Sequence, residues 1–320
     1  MLLSIFNSKG PGRLLMRCSL FGLLLIFCFI GLFFGSGLLA RRGRMGVSEI
    51  KHKRLEAIKK PKVVLIGGSN LHYGLDSPLL ESLIDRPVVN MGIQGSIGIH
   101  FFFAEIEESV RSGDIVVAAL EHAQFYAVEP WGETALYTVV STRPKNLRYL
   151  APRQWGMMFK KGWIAIADNL KAGEASLLRI VSGKKVFRDR SNEWGDHLGH
   201  KGKKSIFSPS QPEAFPGFSD ESIEMVKRWI KTLENKGVCV QLAFAPIARS
   251  ALPSGFSIEN ESVKSLPWVG DWQKLVLPDD TFFDTAHHLL FEKREERTRL
   301  LGQDLTSSDC FKKSEAIQNF

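Results

Sequence analysis

Cysteine is scarce in this 320-residue chain, with only Cys18, Cys28, Cys239 and Cys310 present. Two of them lie inside a long apolar run. That leaves two for a folded domain, which excludes a disulfide framework and a C-x-x-C metal motif. A Cys239–Cys310 bridge stays open in an oxidising compartment. Zinc-finger spacing, aromatic RNA-binding motifs and internal repeats are absent too. Charged residues make up 24% and hydrophobic residues 44%, which is not the composition of a disordered chain. The net charge is +8, but much of the excess flanks the apolar run at Lys9, Arg13 and Arg17 and at Arg41, Arg42 and Arg44. Such basicity belongs to membrane topology, so no nucleic-acid partner is expected.

What is present begins with "CSLFGLLLIFCFIGLFFGSGLLA", 23 uncharged residues from Cys18 to Ala40. About 20 helical residues cross a hydrocarbon core of ~30 Å, whereas the apolar core of a cleaved signal peptide is roughly 7–15 residues. We therefore expect an uncleaved single-pass anchor at 18–40. A short basic segment (1–17) precedes it, and a basic linker or short amphipathic helix (41–60) follows. The basic residues on the two sides nearly cancel as an orientation signal, and those at 51–54 tilt it toward a cytoplasmic domain.

From residue 61 the pattern is α/β. "KVVLIGG", "RPVVNMGIQG", "DIVVAALE" and "VCVQLAFAPI" read as buried parallel strands. Helical segments separate them: "SPLLESLI" with Ser77 as N-cap and Pro78 at the first helical position, 97–113 closed by Gly113, and 219–237 capped by Ser219. This alternation predicts βαβ units and one parallel sheet over 61–305. Residues 125–218, rich in tryptophan and basic side chains, form an insertion of helices and loops. The 306–320 segment is expected to be a frayed tail.

The motif with chemical content is "VVLIGGSN". It sets Ser69 at the carboxyl end of a strand, where open α/β sheets bind ligands. A serine becomes nucleophilic only with a base and a carboxylate to orient that base. "FFDTAHHL" offers Asp284, His287 and His288 in one short loop. Each piece has a bland reading: Ser69 as the polar start of a turn or anion nest, and the histidines as packing residues. "DHLGH" (Asp196, His197, His200) has only loose metal-ligand spacing, and no metal or cofactor is expected. His72 and Asp76 lie close enough in sequence to touch a substrate, though local hydrogen bonding at a helix start explains them.

The order of these blocks resembles the SGNH (GDSL-like) hydrolases. "IGGSNLHYGLD" is similar to their first block, "VVNMGIQGS" to the N-x-G-x-x-G block, and "DTAHHL" to the last. Within that superfamily the likeness is greatest to membrane-anchored members linked to O-acylation of cell-surface polymers, of the alginate O-acetylation and teichoic-acid D-alanylation kinds. It covers 62–126 and 238–305. The resemblance implies a flavodoxin-like three-layer fold and a serine acyltransferase or esterase. Its implied partners are an acyl donor, a carbohydrate polymer and a membrane-bound acyltransferase, and its domain would be periplasmic on the inner membrane. It implies Ser69 as nucleophile, Asp284 as orienting acid, and His288 (by the closing "HL") or His287 (by spacing) as base. Oxyanion or substrate contacts fall to the Ser69 N–H, Gly68, Asn70 and Gly95. The third block departs from the pattern: "AALEHAQF" sets Glu121 where these enzymes carry an asparagine donor. Glu121 would repel an oxyanion, His122 could donate in its place, and a non-catalytic scaffold role becomes the rival reading.

Overall fold

The computed structural model describes residues 11–209 and 211–318. Helix α1 (Pro11–Ala40) is the apolar run, followed by α2 (Val47–Ala57), β1 (Val63–Gly67), α3 (Ser69–Gly74), α4 (Ser77–Ile84), β2 (Val88–Asn90), α5 (Ile99–Glu107) and β3 (Ile115–Ala119). The insertion supplies α6 (Thr134–Thr142) and the long α7 (Pro152–Val181). The chain continues through α8 (Asp220–Glu234), β4 (Cys239–Ala243), β5 (Ile247–Ala248), the short α9 (Glu261–Lys264), β6 (Trp268–Val269) and β7 (Val276–Leu277). It ends with α10 (Arg294–Thr306) and α11 (Asp309–Gln318).

Five strands form one parallel sheet in the order β2-β1-β3-β4-β6, with Val63 opposite Ile115 and Val64 opposite Val88's successor, Val89. Because strand side chains alternate, each strand feeds two cores. Val64, Ile66, Val116, Ala118, Val240 and Leu242 pack with α2, α5, α6 and α8. Val63, Leu65, Ile115 and Val117 pack with α3, α4, α10 and α11. Both faces are covered, which is why these strands read as unbroken apolar runs. Burying each such Val, Leu or Ile contributes roughly 1.5–3 kcal/mol. The strand order reverses between β1 and β3, and the crevice at their carboxyl ends is where a doubly wound sheet takes ligands.

Two expectations change, and an open one is decided. The N-cap of α4 is Asp76, whose carboxylate accepts from the Leu79 N–H, while Ser77 donates its hydroxyl to buried Asp196. Of the two readings of 41–60, linker or short helix, the helix holds, and α2 buries Val47, Lys51, His52 and Leu55 against the domain. The expected tail holds α11, with Phe311 buried and Cys310 bonded to Cys239. A cation–π contact from Arg86 to Phe311 adds to that attachment. Residues 1–10 of the basic N-terminal segment lie outside the described residues. At its far end α1 does not stand clear of the domain: Phe29, Phe33, Ser36 and Ala40 are buried, and Asn169 of α7 donates to Ser36 of α1 and Ser141 of α6.

Candidate functional site

Strand β1 ends at Gly67, whose φ of 151° and near contact with the β3 backbone suit a residue without a side chain. Two residues on, Ser69 opens α3 at the crevice. Its hydroxyl donates to Glu121 Oε1 at 3.2 Å, and the Asn70 N–H donates to the same oxygen at 3.1 Å. Glu121 stands just past the end of β3, paired to β1 along its length, and this alignment brings two distant sequence blocks together. A methyl group on either Gly68 or Gly95 would run into the Glu121 carboxylate. The carboxylate thus sits in a cradle formed by Gly68, Gly95, the Ser69 hydroxyl and the Asn70 N–H.

The Asn70 side chain is not available to a substrate. It is buried, donates to Ala119 O and accepts from Arg297 Nη2 at 2.8 Å. Arg297 Nη1 also donates to Asn70 O at 2.8 Å. Burial pushes the Arg297 guanidinium down to about 9, against the pull of Glu121. This buried cation behind the cradle had no signal in the sequence, because it sits in the charged run "KREERTRLL" that reads as a solvated helix.

The two adjacent histidines separate cleanly. His288 Nδ1 is 2.6 Å from Asp284 Oδ1, whereas His287 Nδ1 is directed to Pro246 O at 2.8 Å. An antiparallel bridge between Phe282 and Leu289 closes the loop and fixes this choice. Burial alone would raise the Asp284 carboxyl. The hydrogen bond and charge of His288, with Arg44 and His200 nearby, outweigh it and hold Asp284 below the ordinary carboxylate range. The His288 ring stacks on Tyr73, centroids 4.0 Å apart and planes 8° from parallel. Tyr73 lies one turn after Ser69 on α3, so the two share a helix face. The imidazole is therefore held beside α3, with Nδ1 committed to Asp284, while the Ser69 hydroxyl is bonded to Glu121 and not to His288.

His122, the substitute donor expected from sequence, is buried and stacked parallel to His287 at 6.1 Å. Neither of its ring nitrogens has a hydrogen-bond partner, and burial lowers its pKa to about 3, so it is a neutral ring. His72 is also buried, its Nδ1 directed to Gly195 O. The "DHLGH" residues lie behind the site. Asp196 accepts from Ser77, Asn90 and Asn192, while His197 and His200 stack on each other and pack at a tilt against Tyr73. Among the described residues no three His, Cys, Asp or Glu side chains converge as a metal site.

A cleft of about 470 Å³ opens beside the 94–96 turn, between the end of α1, α6 and α7, with Arg44, Gln94, Ser96 and Asp168 on its walls. Ligand pockets run to roughly 300–1,000 Å³. Arg44 links the cleft to the Asp284–His288 pair, since it bonds to Gln94 and its charge acts on Asp284. No protein-family model matches the chain, and no curated protein matches it in sequence.

Proposed function

We propose that this chain is a membrane-anchored serine acyltransferase or esterase of SGNH type, working through Ser69, His288 and Asp284. The observation that carries the reading is the Asp284–His288 pair, 2.6 Å apart and stacked on Tyr73 one helical turn from Ser69. In this reading Ser69 Oγ attacks an acyl carbonyl carbon as His288 Nε2 takes the hydroxyl proton. Asp284 stabilises the imidazolium through its Nδ1–H. The tetrahedral oxyanion turns toward the Asn70 N–H and the Gly95 turn. It collapses as His288 returns the proton to the leaving oxygen, giving acyl-Ser69, and an acceptor hydroxyl or water then repeats the sequence in reverse. A carbohydrate polymer as acceptor rests on the resemblance of the three sequence blocks, not on the geometry. The Cys239–Cys310 bond and the apolar helix support a domain on the oxidising side of the inner membrane, against the weak charge count.

Glu121 favours a second reading. Its carboxylate fills the place an acyl oxygen would take, and that suits a degenerate pocket in a scaffold protein of a polymer-export complex. A fluorophosphonate probe on the purified full chain separates the two. A phosphonyl adduct mapped to Ser69, absent from Ser69→Ala, is the expected result. If neither the wild-type protein nor Glu121→Gln forms an adduct, the catalytic reading fails and the scaffold reading replaces it.

A further inference from the structure

Helix α7 leaves most of an apolar face uncovered among the described residues. It packs along the last turns of α1: the Phe29 ring lies 5.1 Å from both Phe159 and Trp163, Gly162 meets Phe29, Asn169 reaches Ser36, and Gly173 meets Leu39. The contacts advance together along both helices, so the two run parallel. Next to this seam, Trp155, Phe159, Trp163, Leu170, Leu177 and Val181 fall on one stripe at helical spacing. Each is at least 45% exposed, and Val181 is 80% exposed. Leu32 and Leu39 of α1 carry the same apolar surface across the seam, at 52% and 60% exposure. Soluble monomers seldom leave so long a contiguous apolar strip to water.

We propose that α7 is a second lipid-facing helix, its stripe lying against the bilayer beside α1. Three features choose lipid as the occupant. The stripe is continuous with a helix long and apolar enough to cross a membrane. Its far edge carries Lys160 and Lys171, whose stems reach from an apolar surface toward anionic headgroups, with Glu174 three residues after Lys171. The α1–α7–α6 seam is built from Gly37, Gly162 and Gly173 and from the Ser36–Asn169–Ser141 hydrogen bonds, the small-residue and polar packing that joins helices in lipid. A second copy fits less well, because a two-fold contact would bring the same lysine rows together. The consequence is positional: the cleft beside Arg44 and Gln94 opens at the membrane surface. The proposal holds whether or not Ser69 is a nucleophile.

Site-directed spin labelling of the full chain tests it. Cys18→Ser and Cys28→Ser remove the free thiols, while Cys239 and Cys310 remain bonded to each other. Single cysteines replace Phe159, Leu170 or Leu177, with Leu24→Cys in α1 as the lipid reference and Glu224→Cys on α8 as the water reference. Collision rates with oxygen and with a water-soluble nickel chelate are measured in phosphatidylcholine–phosphatidylglycerol vesicles. We expect all three α7 labels to match Leu24→Cys, with oxygen collisions several-fold above those with nickel. Nickel accessibility equal to that of Glu224→Cys overturns the proposal. So does shielding from both reagents, which would mean that a second copy covers the stripe.

Discussion

Glu121 is the side chain on which the proposed chemistry turns. Its carboxylate accepts from the Ser69 hydroxyl and the Asn70 N–H, so it competes with any acyl oxygen for the same donors. Exchanging it for a neutral amide removes the repulsion and leaves the packing nearly unchanged. One oxyanion donor is worth ~10²–10³ in rate, so Glu121→Gln is expected to raise fluorophosphonate labelling of Ser69 by at least tenfold. Unchanged or slower labelling would mean that Glu121 is itself part of the machinery. The histidine pair gives a sharper contrast. General bases contribute about 10²–10⁴-fold, so His288→Ala is expected to abolish labelling and His287→Ala to leave most of it, as read by mass spectrometry of the adduct. The opposite ranking would reassign the base. Ser69, Asp284 and the two histidines were legible in the chain because strand ends and short loops keep their neighbours in sequence. Arg297 and Tyr73 were not, since their roles arise only when α10 and α3 meet.

At the scale of elements, strands read well because burial on both faces leaves an unbroken apolar signature, and α8 read well because Ser219 caps it at the expected place, accepting from the Ser222 N–H. The last helix read poorly. The "SSDCFKK" stretch is short and polar, and what holds α11 is tertiary: Phe311 under Arg86, Ser314 donating to Gly113 O, and the bond from Cys310 to Cys239 across 71 residues. Sequence permitted that bridge without deciding it. The bond tethers α11 to the strand β4. Losing a native disulfide typically costs about 2–5 kcal/mol. Cys310→Ser is accordingly expected to lower Tm by several degrees, and so is wild-type protein heated in reductant. Reductant should have no further effect on the variant. A variant as stable as the wild type would show that packing alone secures α11.

The whole molecule carries an unusual load of buried imidazole, and this sets its response to acid. Burial lowers His52, His122 and His197 to about 3 and His200 to about 4, and pushes His72 well below its ordinary value. These rings are neutral in the fold and protonate freely near 6.5 once the chain opens. The unfolded chain therefore binds more protons below that pH, and stability present above 6.5 drains away as pH falls toward 4, by up to about 1.4 kcal/mol per ring per pH unit. Glu105 acts in the opposite sense. Burial raises it to about 8, so its contribution is complete below about 4.5 and shrinks as pH rises to 8. His52 and Glu105 stand 3.6 Å apart with burial driving both toward neutrality, so their contact is not an ion pair. Several histidines against one glutamate leave a net loss of stability in acid. Denaturant midpoints of the purified chain should fall steeply from pH 7 to pH 5, and a flat profile would contradict the buried neutral cluster. His200 offers the internal control, because neither ring nitrogen has a hydrogen-bond partner and its removal leaves no polar group stranded. His200→Leu should make the pH dependence shallower by close to one proton. His197 and His200 pack at a tilt against the Tyr73 that supports His288, so acid is expected to loosen the candidate triad before the far side of the sheet. Labelling of Ser69 would then be lost at a higher pH than the unfolding transition measured by circular dichroism.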